Sequence, residues 1–274
     1  MLRRFLRHPS AVAGALVLLL LLGGALAADW LAPRNPLRIV GRPELWPFTD
    51  PRFPLGTDGL GRDIFAILVH GTRTAIGIGL VAALLSTGIG LVVGAIAGYF
   101  RGWADDVLMR VTEVLQTVPN LIIVLAVAAA LGPDIETIVI TIGLVSWTSV
   151  ARMVRGEFLA LREREFVLAC RAAGMTDARI IFSEILPNAL PPVIVYASVL
   201  VSGAILFEAA LAFLGLSDPS IASWGRLIGE GRATLRTAWY IAAIPGLAIV
   251  VTVLALNLLG DGLNDALNPR LRDR

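Results

Sequence analysis

Leu161-Arg-Glu-Arg-Glu-Phe-Val-Leu-Ala-Cys-Arg-Ala-Ala-Gly174-Met-Thr-Asp-Ala-Arg-Ile-Ile-Phe-Ser-Glu-Ile-Leu-Pro187 is a polar island between two long apolar stretches of a 274-residue chain. Five arginines, Arg155, Arg162, Arg164, Arg171 and Arg179, fall in or beside it. The pattern predicts a helix over Arg162–Ala173, stopped by Gly174, because glycine takes the left-handed conformation that ends helices without a Cβ penalty. Thr176 or Asp177 can cap a second short helix, which Pro187 is expected to end. On a 3.6-residue period Phe166, Cys170 and Ala173 share one face of the first helix. Arg164 and Arg171 share another, with Leu168 between them. A leucine on a charged face has no partner if the helix meets only water. The island therefore reads as a helix outside the membrane that docks onto another protein, the alternative being an ordinary loop between spans.

Composition says what the island interrupts. The chain is 57% hydrophobic and only 16% charged, with a mean hydropathy of +0.79, whereas a soluble domain is nearer a quarter charged. This is the composition of an all-α integral membrane protein. The net charge of +2 is too small to argue for nucleic acid. All 23 basic residues are arginine. A phosphate-gripping Walker loop needs its lysine, so the chain is not an ordinary P-loop ATPase, and Schiff-base chemistry is excluded with it. The single cysteine, Cys170, allows no internal disulfide, and the two histidines, His8 and His70, lie too far apart to suggest a metal cluster. No metal site and no catalytic residue is expected.

Six spans follow from the apolar runs. Arg3, Arg4 and Arg7 precede a run from Ala11 to Ala28, about 18 residues and just enough to cross ~30 Å of hydrocarbon. Ala25-Leu26-Ala27 could mark a signal-peptidase site; an uncleaved first span with a cytoplasmic N-terminus is preferred. Residues 29–71 are polar and carry Pro33, Pro36, Pro43, Pro47, Pro51 and Pro54, a density that forbids a long helix. This segment should lie outside, with Asp58 capping a short helix over Ile64–Val69.

The second span is expected over Thr72–Phe100, with Ser86, Gly90, Gly94 and Gly98 at every fourth position. Such a small face lets helix backbones approach closely, in this chain or against a partner subunit. After a tight turn at Arg101–Asp106, the third span, about Val107–Leu131, is broken at Pro119-Asn120. A break of this kind is tolerated where neighbours or pore water satisfy the freed carbonyl, so Glu113, Gln116, Pro119 and Asn120 either line a pathway or merely pack. The fourth span is expected over Ile135–Met153, the fifth over Asn188–Leu214 and the sixth over Ala238–Leu259. Glu208 in the fifth is a functional candidate by virtue of its depth, or a carboxylate paired with Arg226 or Arg232. Asn257 in the sixth is expected to bond to a neighbouring helix. Of the 23 arginines, 14 fall in segments placed inside and nine outside, in keeping with both termini being cytoplasmic. The chain divides into residues 1–71, a first span with an outer segment, and 72–274, the main membrane domain, with the island at 155–187 inside it.

The island resembles a cytoplasmic loop of binding-protein-dependent ABC importers, with the pattern Glu-Ala-Ala, three residues, Gly, nine residues, Ile, one residue, Leu-Pro. Ala169, Gly174, Leu186 and Pro187 match; Leu168, Cys170 and Glu184 stand where the pattern has Glu, Ala and Ile. Leu55-Gly-Thr-Asp, two residues, Gly-Arg-Asp63 resembles the C-type permease subunits of dipeptide, oligopeptide and nickel importers more specifically. So do Ala212-Phe-Leu-Gly-Leu216, Ser223-Trp-Gly225 and Asn257-Leu-Leu-Gly-Asp-Gly-Leu263 with Asp265, Pro269 and Arg270. The resemblance implies the type I importer permease fold, six spans with a cytoplasmic coupling helix. It implies that Phe166, Val167, Ala169, Cys170, Arg171, Ala172, Gly174, Met175, Leu186 and Pro187 form the contact with an ATPase. The partners it implies are a second homologous permease, two ATP-binding subunits carrying the ATP and Mg, and an extracytoplasmic substrate-binding protein. This chain itself would bind no cofactor and make no bond. Peptides are the first substrate expected and nickel or other metal chelates the second. A stand-alone secondary transporter is a further alternative, but no inverted repeat is visible. An intramembrane enzyme is disfavoured by the lack of a nucleophile and base at a common depth.

Overall fold

In a computed structural model of the chain, residues 8–267 are described; Arg3, Arg4, Arg7, Pro269 and Arg270 lie outside them. Among the described residues the elements are helices, joined by turns and two isolated bridges, Ile39 with Arg62 and Thr57 with Asp63. In chain order they are α1 (Pro9–Leu26), α2 (Ala28–Leu31), α3 (Ile64–Phe100), α4 (Gly102–Gln116), α5 (Asn120–Leu131), α6 (Ile135–Arg162), α7 (Glu165–Ala172), α8 (Asp177–Arg179), α9 (Leu186–Phe213), α10 (Trp224–Gly231) and α11 (Tyr240–Leu267). Five are long and apolar enough to cross a membrane, and α4 with α5 makes a sixth as a pair bent by 74°. The expected six spans are present.

Several boundaries differ from expectation, each for a physical reason. The short helix over Ile64–Val69 and the span from Thr72 are one continuous helix, α3. Its cap is Asp63, whose carboxylate accepts from the Phe65 N–H at 2.9 Å, not Asp58. Nothing between the two breaks the helix: Gly71 lies under Trp224, where an added Cβ would sit 2.7 Å from the indole. At 37 residues α3 is about 55 Å long and overshoots the ~30 Å hydrocarbon layer. The turn at Arg101–Asp106 shrinks to Arg101, which caps α4, and Gly102, its first residue, with φ of 59° and 53°. The bend at Thr117–Pro119 does divide the third span. Helix α6 runs on past Met153 to Arg162, and α7 is a separate helix, so Arg162–Ala173 is not one helix. Pro187 ends nothing. Residues Asp177–Arg179 pass through the π-helical turn Ile180–Ile185 straight into α9, so Pro187 lies inside one continuous helical run, beside the π turn.

The bundle is assembled around the α3 and α6 pair. An added Cβ at Gly90 would meet Val150 Cβ at 2.4 Å and one at Gly94 the Ala151 carbonyl at 2.5 Å. At Gly98 it would meet Phe158 Cβ at 2.6 Å. Backbones approach so closely because lipid gives apolar side chains little drive to associate, leaving close packing to hold the helices. Helix α9 packs on α3 and α11, and α1 on α11, where Gly14 faces the Ala255 carbonyl. Asn257 is exposed on α11 and not turned toward a neighbour. We expect Gly94→Ala to cost about 1–3 kcal/mol, the usual range for overpacking, read as a lower melting temperature of the purified subunit. Gly88→Ala, with nothing within 4 Å of the new Cβ, should leave the melt where it is.

Residues 32–63 form an irregular cap over one end of the bundle, folded around buried Phe53 and Thr57. Gly56 and Gly61 have φ of +79° and +83°, and a Cβ on either would collide with a carbonyl, that of Leu45 at 2.1 Å or Gly41 at 2.3 Å. Only glycine fits these two positions. Burial pushes the Asp63 carboxyl up, against the opposing pull of the Phe65 N–H.

Candidate functional site

The island residues gather at the other end of the bundle. Helix α6 stops at Arg162; Glu163 and Arg164 turn the chain, and α7 runs for eight residues. Its C-terminus is closed by two hydrogen bonds, Gly174 N–H to the Arg171 carbonyl at 3.0 Å and Met175 N–H to the Cys170 carbonyl at 3.1 Å. Gly174 is at φ +76°. This is the Schellman closure, which needs a left-handed residue at its turn, so glycine stops the helix as the sequence implied. Thr176 stands at the head of α8 without a side-chain capping bond.

The helix has two faces. Val167 is fully buried, in one cluster with Tyr99, Val150, Val154, Phe158, Ile180, Ile185, Ala189 and Val193; Cys170, Met175 and Leu186 pack partly against it. Phe166 is 39% exposed and Leu168 50%, and Ala169, Ala172, Gly174 and Pro187 are exposed as well. Phe166 and Cys170, one turn apart, share the side of α7 that borders the bundle, and Val167 belongs with the bundle and not with the open face. What remains free is an apolar edge, Leu168, Ala169 and Ala172, with Phe166 exposed where the helix meets the bundle.

Charged pairs brace the same end. Arg155 reaches Asp105 with two parallel bonds of 2.5 and 2.7 Å, the forked geometry that gives arginine–carboxylate pairs their directionality. Arg101 meets Glu163 at 3.1 Å. Tyr99 Oη donates to Asp177 Oδ1 at 2.5 Å, and Arg162 donates to the Tyr99 carbonyl. Neither Tyr99 nor the Asp105–Arg155 pair stood out in the sequence, because partners 50 and 78 residues apart leave no local pattern.

Of the residues read as lining a pathway, four lie around the bend between α4 and α5 and Glu208 lies on α9. Glu113 is exposed, 3.9 Å from Arg110, in a cleft that also takes in Asp105 and Arg155. Gln116 and Asn120 are half-buried on either side of the bend, and Pro119 is exposed at it. Glu208 stands on another helix, near the far end of α9, and is only 4% exposed. It does not pair with Arg226 or Arg232. Ser223 Oγ donates to it at 2.7 Å, and the same hydroxyl caps α10 by accepting from the Arg226 N–H at 3.3 Å. Arg226 instead holds Glu230 at 2.9 Å.

The cap end carries its own network. Arg62 Nε donates to Asp58 Oδ2 at 2.5 Å and its Nη2 reaches Glu230 on α10. Asp58 Oδ1 also accepts the Leu60 and Arg62 N–H groups at 2.9 and 2.8 Å. The Gly-Thr-Asp run is therefore a structural clasp between the cap and α10. Beside it, Trp224 ties α10 to α3 by donating to the Leu68 carbonyl at 2.9 Å, and Tyr240 ties α11 to the cap by donating to the Leu45 carbonyl at 2.8 Å.

A helical bundle with six crossings and one anchored helix presented at its end is the architecture of a multi-pass transport subunit. Residues 90–273 match the family described as "binding-protein-dependent transport system inner membrane component". Residues 1–47 match the "N-terminal TM domain of oligopeptide transport permease C". The glutathione transport system permease protein GsiD of Pectobacterium atrosepticum is 38% identical over 271 residues, covering 98% of this chain and 90% of the relative. The di/tripeptide transport system permease protein DppC of Pseudomonas aeruginosa is 38% identical over 275 residues, covering 98% and 91%. Among solved structures, a chain of the inward-facing MetNI methionine ABC transporter aligns with a TM-score of 0.63 at 19% identity, over 75% of this chain and 98% of that one. That likeness concerns the fold. The chain belongs to the inner-membrane components of binding-protein-dependent transport systems. It is a membrane-spanning permease subunit of an ATP-driven importer, a kind of subunit that works in a complex with ATPase and permease partners.

Proposed function

We propose that this chain forms half of the path through which short peptides enter the cell, and that α7 receives the stroke of a separate ATPase. The observation that carries the reading is the two-sided α7. Val167 fixes it to the bundle, while Leu168 is 50% exposed on the opposite face and Phe166 39% exposed at its border. An apolar edge backed by a rigid anchor can pass a push inward. The α7 end is then cytoplasmic, as are both termini, and the cap of residues 32–63 faces outward toward a solute-binding protein. Residues 1–71 supply the first span and cap, and 72–274 the transport domain. A second permease would cover the apolar side chains left exposed on the bent pair, Val111, Val114, Val118 and Ile122. Two ATP-binding subunits would carry the ATP and Mg, since a chain with no lysine has no Walker loop of its own.

The relatives named for glutathione and for di/tripeptides favour peptide over nickel-chelate import. The test is reconstitution of the complete complex in proteoliposomes with a panel of di- and tripeptides, glutathione and a nickel chelate. Accumulation of a short peptide that requires ATP is expected. Uptake by this chain alone, or uptake of the chelate only, would contradict the reading.

A further inference from the structure

We propose that Tyr99 is a positioning residue that latches the coupling segment to α3, so that movement of α7 and α8 passes sideways into the longest helix of the bundle. The inference rests on the reading of α7 as the ATPase contact. The chain itself joins the segment only to α6 and α9, and neither joint is a plain α-helical continuation. On one side α6 is interrupted at Glu163 and Arg164. On the other, Ile180–Ile185 is a π-helical turn running into a helix whose first turn holds Pro187. A π turn departs from the α-helical ladder, and proline gives that ladder no N–H. Covalent connection alone would let much of a displacement dissipate there.

Tyr99 bridges the gap in space. It is 3% exposed and sits at the last turn of α3, one residue from Gly98, where α3 lies against the Arg155 carbonyl of α6. Its hydroxyl donates to Asp177 of α8 at 2.5 Å. The Arg171 guanidinium of α7 lies 5.3 Å from its ring centroid and that of Arg162 lies 5.9 Å away, within the range of cation–π attraction. One side chain thus holds α3, the end of α6, α7 and α8 together, and the ring shares a cluster with Val167, Ile180 and Ile185.

The test measures peptide uptake and ATP hydrolysis in the same proteoliposomes containing the full complex. Tyr99→Phe keeps the buried ring and its cation–π contacts and removes only the hydroxyl. Uptake per ATP hydrolysed is expected to fall about tenfold, the scale of one hydrogen bond to a charged acceptor, while assembly and hydrolysis persist. Asp177→Ala should do the same, the double variant should be no worse than either single one, and Asp177→Asn, which keeps an acceptor, should recover most of the ratio. If Tyr99→Phe lowers the yield of complex, Asp177→Ala carries the test, since its side chain is exposed. An unchanged ratio in these variants, or losses that simply multiply in the double, overturns the latch. A parent complex without ATP-dependent uptake defeats the coupling reading itself; coupled uptake that the variants leave intact defeats only the latch.

Discussion

Arg62→Ala should destabilise the subunit by about 3–5 kcal/mol, the cost of leaving a buried charge without its partner. The Asp58 side chain is 1% exposed and that of Arg62 6%. Removing the guanidinium strands the Asp58 carboxylate, keeping only its two backbone donors, and frees Glu230 from the cap. The cap and α10 should then loosen, because the Arg62–Glu230 contact is the ion pair between them, while Tyr240 and His70 hold residues 32–63 to α11 and α3. A large drop in melting temperature of the purified subunit, with faster proteolysis between residues 32 and 63, is expected. Arg62→Lys keeps the charge but not the fork and should lose roughly half as much. A melt of Arg62→Ala that coincides with the parent protein would show that the clasp adds nothing.

Phe166→Ala should act on the complex and not on the fold. The ring is 39% exposed in the isolated chain, so its loss should barely move the subunit's own melt. If it fills a pocket on the ATPase, truncation removes about 3 kcal/mol of contact, about a hundredfold in Kd. Uptake should fail and the ATPase subunit should co-purify poorly. Val167→Ala is the counterpart. Its side chain is fully buried behind the helix, so the loss should appear first as a lower melting temperature. Normal uptake and normal ATPase association in Phe166→Ala would remove the docking edge from the mechanism.

The spans, the polar island and the stop at Gly174 were legible in the sequence because each rests on short-range chemistry: a run of apolar residues, a charge-rich interruption, a glycine where φ must be positive. Helix ends were less so. Asp58 and Asp63 are both reasonable caps in one short motif, and only the pairing of Asp58 with Arg62 shows which is free to cap α3. Pro187 reads as a stop, yet the helical run passes through it beside the π-helical turn at Ile180–Ile185. Arg155–Asp105, Tyr99–Asp177 and Glu208–Ser223 were invisible because their partners are brought together by helix packing, which has no signature at a fixed spacing. The repeat of Gly90, Gly94 and Gly98 announced a close approach but left its partner open; in the structure that partner is α6 of the same chain.

The claim on which the rest depends is that α7 faces the cytoplasm and meets an ATPase there. Cys170 is the single cysteine, so Leu168→Cys in a Cys170→Ser background places one thiol on the exposed edge. A membrane-impermeant maleimide should label it only from the cytoplasmic side of oriented vesicles, and binding of the ATPase subunits should abolish labelling. Labelling from the outer side, or labelling that the bound ATPases leave unchanged, would contradict the claim.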